Sequence, residues 1–471
     1  MLTLLGHAVR AQETDGPSDL PEATNQASEP ADSVAPSKPD ETAATAEEAA
    51  EAAAKAAEDE REKEKEAEEQ AAIDEEVEKA GLDVESEEVR RKDSNDLLSQ
   101  LRESITVRGA IEAGPLEAMY QPWSLVRDAL QESTGLRLGM AYTGLVQHAT
   151  SGEQRTAGAG DYDLFGRWQP PDVEGSAPGQ LGFNFEFRHA YSDITPSQLN
   201  QQFGSVLRTT RAFNDADPRV SDLWWEQRFA NEKIRVRFGG IGMRSFFDLH
   251  RFKSQNLYFQ GVAFSDSPTI AFPGSGLGAV FEFTPANDFH FVLGFADANG
   301  NTDVFDSFSS VFDNNEFFTA FEIDYSPSGE GVRESKYSLT LWHTDAREER
   351  GRPSGRGVSL LTEQQIVDDL YVFARYGYGD GADRPVEHLV SAGFGTQRAF
   401  GLGDDALGLA LSWARPPDTS LRDQWGAELF YRAQLTTRLQ LSPGVQMIVH
   451  PSENPDADVV AVFQLRFRVV F

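Results

Sequence analysis

Counting back by twos from Phe471, one face of the stretch Asp458–Phe471 carries Val469, Phe467, Leu465, Phe463, Ala461 and Val459, while the other carries Arg468, Arg466 and Gln464 between Val470 and Val462. Strict period-two alternation is the mark of a β-strand whose two faces meet different surroundings. The stretch is longer than the roughly 9–11 residues that cross a bilayer at a tilt, and it pairs an apolar face with an arginine-bearing one. It reads as a strand of a transmembrane barrel; an edge strand of a soluble β-domain is the competing reading. A barrel strand constrains everything before it, because the other strands must pair until the sheet closes.

Composition agrees. The 471 residues include 40 Gly, 32 Phe, 11 Tyr and no Cys, and the mean hydropathy is −0.45. A barrel tolerates low mean hydropathy because only alternate strand residues face lipid. No apolar run is long enough for a membrane-spanning helix, which excludes a helical membrane protein. The lack of Cys removes disulfides and thiolate metal sites. A net charge of −34 argues against nucleic acid, which is bound through excess Lys and Arg. A terminal strand ending in Phe also resembles the signal by which outer-membrane barrels are recognised for assembly.

The charge is unevenly placed: residues 1–104 hold 30 acidic and 11 basic side chains, leaving 46 and 31 for the remainder. Residues 1–11 are expected to be the remnant of a signal peptide, with Val9 and Ala11 at small-residue cleavage positions. Residues 12–42 are an acidic, Pro- and Ala-rich linker without the apolar content to fold. Residues 43–104 are rich in Ala, Glu and Lys, all strong helix formers. Roughly 38 residues of helix there would reach about 57 Å. A weak Ala seam, broken by charge, leaves a coiled-coil stem and a solitary charged helix equally open. In residues 105–133, Pro122–Leu130 predicts a short amphipathic helix leading into the barrel, with Gly135 just beyond it.

From residue 134 to 471, alternation and turn residues predict strands at 134–148, 160–170, 179–192, 222–230, 233–242, 275–285, 287–298, 316–327, 335–347, 356–366, 368–380, 387–400, 404–416, 424–435, 437–450 and 458–471. Gaps after odd strands are mostly long, as at 193–221 and 243–274, and several gaps after even strands are tight, as at Asn231-Glu232 and Asp368-Asp369. Short periplasmic turns, long outer loops and an even strand number go together in outer-membrane barrels. The expected fold is all-β: a 16-stranded antiparallel transmembrane barrel with an N-terminal α-helical extension in the periplasm. Its inward face carries Arg167, Glu186, Arg188, Glu226, Arg228, Arg235, Arg237, Glu282, Glu322, Arg375, Glu428, Arg432, Arg466 and Arg468. So many ions cannot lie desolvated and unpaired, so that face is expected to be wet and to enclose an aqueous channel.

Gly135–Thr143, the stretch Leu223–Gly239, Phe246–Asp248, Asn256–Phe259, Ile270–Pro273, Glu428–Arg432, Pro443–Gln446 and His450-Pro451 resemble the OprB-type carbohydrate-selective porins over about residues 120–471. The resemblance implies a sugar channel in the outer membrane of a Gram-negative bacterium, its pore lined by arginines and acidic residues. The N-terminal extension falls outside that pattern. Gln255–Gly261 also resembles an engineered viral-protease tag, but its place between family motifs marks it as part of the native chain.

The constriction is expected at the loop 243–274, with Glu186, Arg188, Trp224, Glu226, Arg228, Arg235, Arg237, Phe247, Asp248, Arg375, Glu428 and Arg432 lining the pore and meeting substrate. Arg forks and carboxylates can bond sugar hydroxyls in pairs, and an aromatic ring can cover a sugar's apolar face. Unselective diffusion, and a barrel that only anchors a cell-wall tether or adhesin, are the alternatives. The spacing of His450 and Ser452 matches that of outer-membrane phospholipases, yet Ser452 lies in a Pro-flanked loop, so no catalytic residue is assigned. No metal ligand set or cofactor is expected. Expected partners are sugars, outer-membrane lipid and, through the extension, peptidoglycan or further copies of the chain.

Overall fold

The structure is a computed structural model and describes residues 108–111, 114–170, 179–300, 303–328 and 332–471. The signal remnant, linker and stem expected within residues 1–104 lie outside the described residues.

Helix α1 (Gly114–Thr134) precedes sixteen strands: β1 (Leu136–Ala149), β2 (Thr156–Trp168), β3 (Gln180–Ala190), β4 (Ala216–Phe229), β5 (Ile234–Ile241), β6 (Gly276–Ala286), β7 (Phe289–Asp297), β8 (Phe317–Tyr325), β9 (Ser335–Thr344), β10 (Gly355–Val367), β11 (Leu370–Gly381), β12 (His388–Gln397), β13 (Ala406–Arg415), β14 (Gln424–Gln434), β15 (Leu439–Val449) and β16 (Val459–Val470). A second helix, α2 (Val304–Asn314), lies between β7 and β8. Each strand pairs with its sequence neighbours, and β1 pairs antiparallel with β16 from Ala141↔Val470 to Ala149↔Val462, closing the barrel. Closure leaves no unpaired strand edge.

The outward face carries exposed Phe185, Phe238, Phe281, Leu293, Phe295, Leu411 and Phe463, the side chains that alternation turns toward lipid. Leaving each in water rather than an apolar phase would cost roughly 1.5–3 kcal/mol. The tight connections lie at the end where β1 starts and β16 finishes, as at Ala230, Asn231 and Glu232, all with positive φ, between β4 and β5.

Two strands start earlier than alternation predicts. β2 begins at Thr156 rather than 160, through Gly158 and Gly160, and β4 begins at Ala216 rather than 222, through Asp217 and Pro218. Pro218 is tolerated because the β3–β4 register shifts between Glu186 and Arg188, and a bulge needs no ladder bond at that residue. Helix α1 is also longer than the predicted 122–130, with Pro122 inside it.

Ahead of α1, residues 108–111 form a strap across two turns at the terminal end. Arg108 N donates to Asp404 Oδ2 and Asp404 N to Arg108 O, at 2.8 and 2.9 Å. Ala110 N donates to Gln434 O and Ile111 N to Leu435 O, at 2.8 and 3.0 Å. At Gly109 any Cβ would meet the Thr436 backbone at 2.6 Å, so only glycine lets the strap lie this close.

Candidate functional site: an arginine-faced half-lumen

The lumen is not evenly wet. The β5–β6 loop (residues 242–275) folds inside the barrel and fills the side formed by β6–β16. Its Phe252, Leu257, Tyr258, Phe259 and Phe264 pack with Tyr371, Phe373, Leu389 and Phe430 of the wall. Its Met243, Phe246, Phe247, Ile270 and Phe272 pack with Val280, Val292, Phe318 and Trp342, and reach Trp224 and Ile241 on β4 and β5. An inward face expected to be wholly aqueous therefore includes a dry half. The ions there are not bare, because they bond the loop. Glu428 accepts from Gln260 N and Gly261 N at 2.8 and 2.7 Å. Arg466 donates to the carbonyls of Gln255, Leu257 and Tyr258 at 2.8, 2.6 and 2.8 Å. Arg375 pairs with Asp248 at 2.9 Å and donates to Asp266 O at 2.7 Å, and Glu322 accepts Asp248 N at 2.6 Å. His250 is held neutral by burial and by Arg375; its Nε2 donates to Phe264 O at 2.7 Å. The tag-like segment Gln255–Gly261 is thus the centre of the docked loop.

The side formed by β1–β5 is covered in part by the β3–β4 loop, which seats Phe213 on Leu145 and Ala159, and Leu199 and Phe203 on Ala149 and Ala157. Glu226 on β4 accepts two bonds from Arg237 on its Oε2 at 3.0 and 2.6 Å, and on its Oε1 a bond from Arg228 at 3.0 Å and one from Gln180 at 2.6 Å, with Arg235 at 3.8 Å. Arg235 also pairs with Glu282 at 3.2 Å. The Arg237 guanidinium lies 4.0 Å from the Trp224 ring centre and 5.0 Å from that of Phe246, and Arg167 lies 5.6 Å from Trp224. These come together because register places Trp224 opposite Gly182 and Gly239, and Glu226 opposite Gln180 and Arg237. Arg137 stands directly opposite Arg167.

Nearer the loop rim a second tier forms between strand wall and loops. Arg188 pairs with Asp161 at 3.2 Å and with Glu186, and Arg219 bonds Glu186 at 2.5 Å. Arg211, from the β3–β4 loop (residues 191–215), and Arg244, from the β5–β6 loop, share Asp266 at 3.1 and 3.0 Å. Burial opposes charge on Asp266, but Arg244, Arg211 and Lys253 outweigh it and hold its carboxyl well below the usual carboxylate range. Asp161, Asp163 and Glu186 bring oxygens within 4.8 Å of one another, a spacing that suits a metal ion. Arg188 and Arg219 already supply positive charge to two of the three.

The residues predicted to line the pore divide into two sets. Glu226, Phe247, Asp248, Glu428 and Arg432 are 0% exposed, Arg375 2%, Glu186 4% and Trp224 8%. By contrast the side chains of Arg188, Arg228, Arg235 and Arg237 are 18, 20, 18 and 13% exposed. Arg208, Arg211, Arg219, Arg244 and Asp266 were missed by the sequence reading. Arg219 lies in the part of β4 taken for loop, and the others lie in loops, where no period assigns a face. The one sequence signal was the pair Arg208 and Arg211 in a loop next to the expected constriction. His450 is exposed in a left-handed turn position while Ser452 is buried; the two do not share an environment.

Chemically, this half-lumen offers N–H donors on a rigid frame, with an indole beneath them. Comparison with known proteins agrees with that architecture. The model of the carbohydrate-selective porin, OprB family, matches residues 184–471. Porin AaxA of Chlamydia trachomatis serovar D is 24% identical over 275 residues, covering 56% of this chain and 58% of that protein. Porin AaxA of Chlamydia caviae is 22% identical over 311 residues, 64% of this chain and 67% of that protein. The chain thus spans about 58% of the length of the first curated relatives it matches. The high-pH structure of Pseudomonas putida OprB superposes with a TM-score of 0.61 at 17% identity, covering 74% of this chain and 97% of that one. This is a likeness of fold.

Proposed function

The chain belongs to the OprB family of carbohydrate-selective porins, and from that premise we propose that it is an outer-membrane channel for passive, carbohydrate-selective diffusion of mono- or oligosaccharides. Fold and family are those of a channel rather than an enzyme. The observation that carries the reading is the half-lumen left beside the docked loop, faced by Arg188, Arg228, Arg235 and Arg237 over Trp224. Guanidinium forks bond neighbouring hydroxyl oxygens in a fixed geometry. In this reading Glu186 and Glu226 orient the arginines, while Phe247, Asp248, Arg375, Glu428 and Arg432 hold the loop that narrows the passage. The terminal end faces the periplasm, and residues 43–104 form a helical stem that contacts the cell wall or further copies of the chain.

Liposome swelling with sugars and neutral amino acids of matched size tests the reading. Sugars are expected to enter faster; equal entry by both classes would leave a general porin.

A further inference from the structure

Apart from Glu232 in the β4–β5 turn, which is 48% exposed beside Arg228 at 20%, the carboxylates of the half-lumen are less exposed than the arginines that pair with them. Glu226, Glu186, Asp161, Asp266 and Glu282 have side chains 0, 6, 2, 6 and 7% exposed. The side chains of the arginines bonded to them range from 13% at Arg219 and Arg237, through 25% at Arg244, to 43% at Arg211. A solute passing this wall therefore meets cations first, although the chain as a whole carries a net charge of −34.

In the tier nearer the loops, Arg188, Arg208, Arg211, Arg219 and Arg244 stand against Asp161, Asp163, Glu186 and Asp266, with Arg211 and Arg244 sharing Asp266. On the strand wall, Arg228, Arg235 and Arg237 share Glu226, Glu282 and the turn residue Glu232, while Arg167 lies over Trp224 and Arg137 stands opposite Arg167. On β4 the half-buried Asp222, which accepts from Ser221 at 3.4 Å, and the exposed Asp217 offset part of this charge.

Arginine donates and never accepts. A neutral sugar matches that with lone pairs alone and leaves its own hydroxyl hydrogens to water. A carboxylate takes paired N–H bonds from a guanidinium and gains from every uncompensated charge nearby. In a narrow, water-filled passage bounded by protein, like charges on the wall sum rather than being screened separately.

Resting on the sugar-channel reading above, we propose that the preferred solutes are sugar acids: sugars bearing a carboxylate, captured at the rim by Arg208, Arg211 and Arg244 and passed along the arginine wall. Neutral sugars use the same path with weaker retention, and cationic solutes are held out.

Block of single-channel chloride current by galacturonate and by galactose tests this in the full-length protein. Galacturonate is expected to reach half-block at a concentration on the order of 10-fold lower than galactose, and Arg208→Ser/Arg211→Ser is expected to bring the ratio toward one. Equal or better block by galactose, in a channel that still prefers sugars to amino acids, would overturn the sugar-acid assignment alone. No block by either sugar, with equal swelling by galactose and a neutral amino acid, would overturn the sugar-channel reading and this one with it. If the double variant does not insert, the zero-current potential of the wild type in a sodium galacturonate gradient decides. Galacturonate is expected to be more permeant than sodium, and the reverse order overturns the proposal.

Discussion

Gly261 and Gln260 donate successive backbone N–H groups to the two oxygens of Glu428, at 2.7 and 2.8 Å, so one wall carboxylate clamps the midpoint of the loop that fills half the barrel. Both amides are buried. Replacing Glu428 by Ala leaves two buried donors without an acceptor, at about 1–3 kcal/mol each. The expected result is a barrel that assembles but gates: single-channel recordings become noisy and mean conductance rises as the loop leaves its seat. Glu428→Gln keeps one acceptor oxygen and should fall between the two. A quiet, wild-type trace from the Ala variant would show that the other anchors hold the loop alone.

Gly395 on β12 is the floor beneath Phe252. A Cβ there would meet the Phe252 ring at 2.4–2.6 Å, and that ring is fully buried. Gly395→Ala should destabilise the folded barrel by about 1–3 kcal/mol, the usual cost of overpacking. Phe252→Leu in the same chain should recover part of the loss. Thermal unfolding in detergent measures both, and additive losses would mean that the two positions do not share the contact.

Arg235 and Arg237 are partly exposed members of the strand-wall cluster, and Glu226 behind them retains Arg228 and Gln180 when both are removed. Arg235→Ala/Arg237→Ala is expected to widen conductance and to raise the sugar concentration needed for half-block several-fold, by roughly 1–2 kcal/mol of lost charge-assisted bonding. Unchanged conductance together with unchanged block would place the narrowest zone elsewhere.

Deleting residues 13–104 behind an intact signal peptide should leave single-channel conductance as it is, and change only oligomer state or cell-wall association. Size-exclusion profiles, peptidoglycan pull-down and bilayer recordings read these separately. A large conductance change would refute the division of roles between stem and pore.

The barrel was legible because its cause is local. Arg466, Arg468 and Gln464 alternate with Leu465, Phe467 and Phe463 in sequence, and the same alternation repeated through sixteen strands fixes faces, strand count and direction. It fails where sequence and role part company: Pro218 looks like a loop residue until a bulge excuses its missing N–H, and the glycines of β2 look flexible. The site was legible only by residue type. Alternation assigned Glu226 and Glu428 to the lumen, but no period shows whether an inward ion meets water or a loop. That depends on contacts such as Glu428 with Gly261, 167 residues apart, and Arg466 with Leu257, 209 apart. Pairs at such distances leave no trace in one sequence, and the loop arginines 208, 211 and 244 sit where there is no face to read.

The closure of β1 on β16, with the strap beside it, has a consequence for the order of assembly. Every other strand pairs with its neighbours along the chain, so most of the sheet can zip up through short hairpins such as Ala433↔Leu441. The seam joins Thr143 to Arg468, 325 residues apart, and the strap joins Arg108 to Asp404, 296 apart. Each doubling of loop length adds about 0.6 kcal/mol to the entropy of closure, so joining the seam costs about 3 kcal/mol more than closing a hairpin. Contact order, low through most of the barrel, is concentrated in that one join. Substitutions along β1, β16 or the strap should therefore show first as slow assembly, with finished channels that conduct as before, whereas substitutions under the β5–β6 loop act on the finished channel.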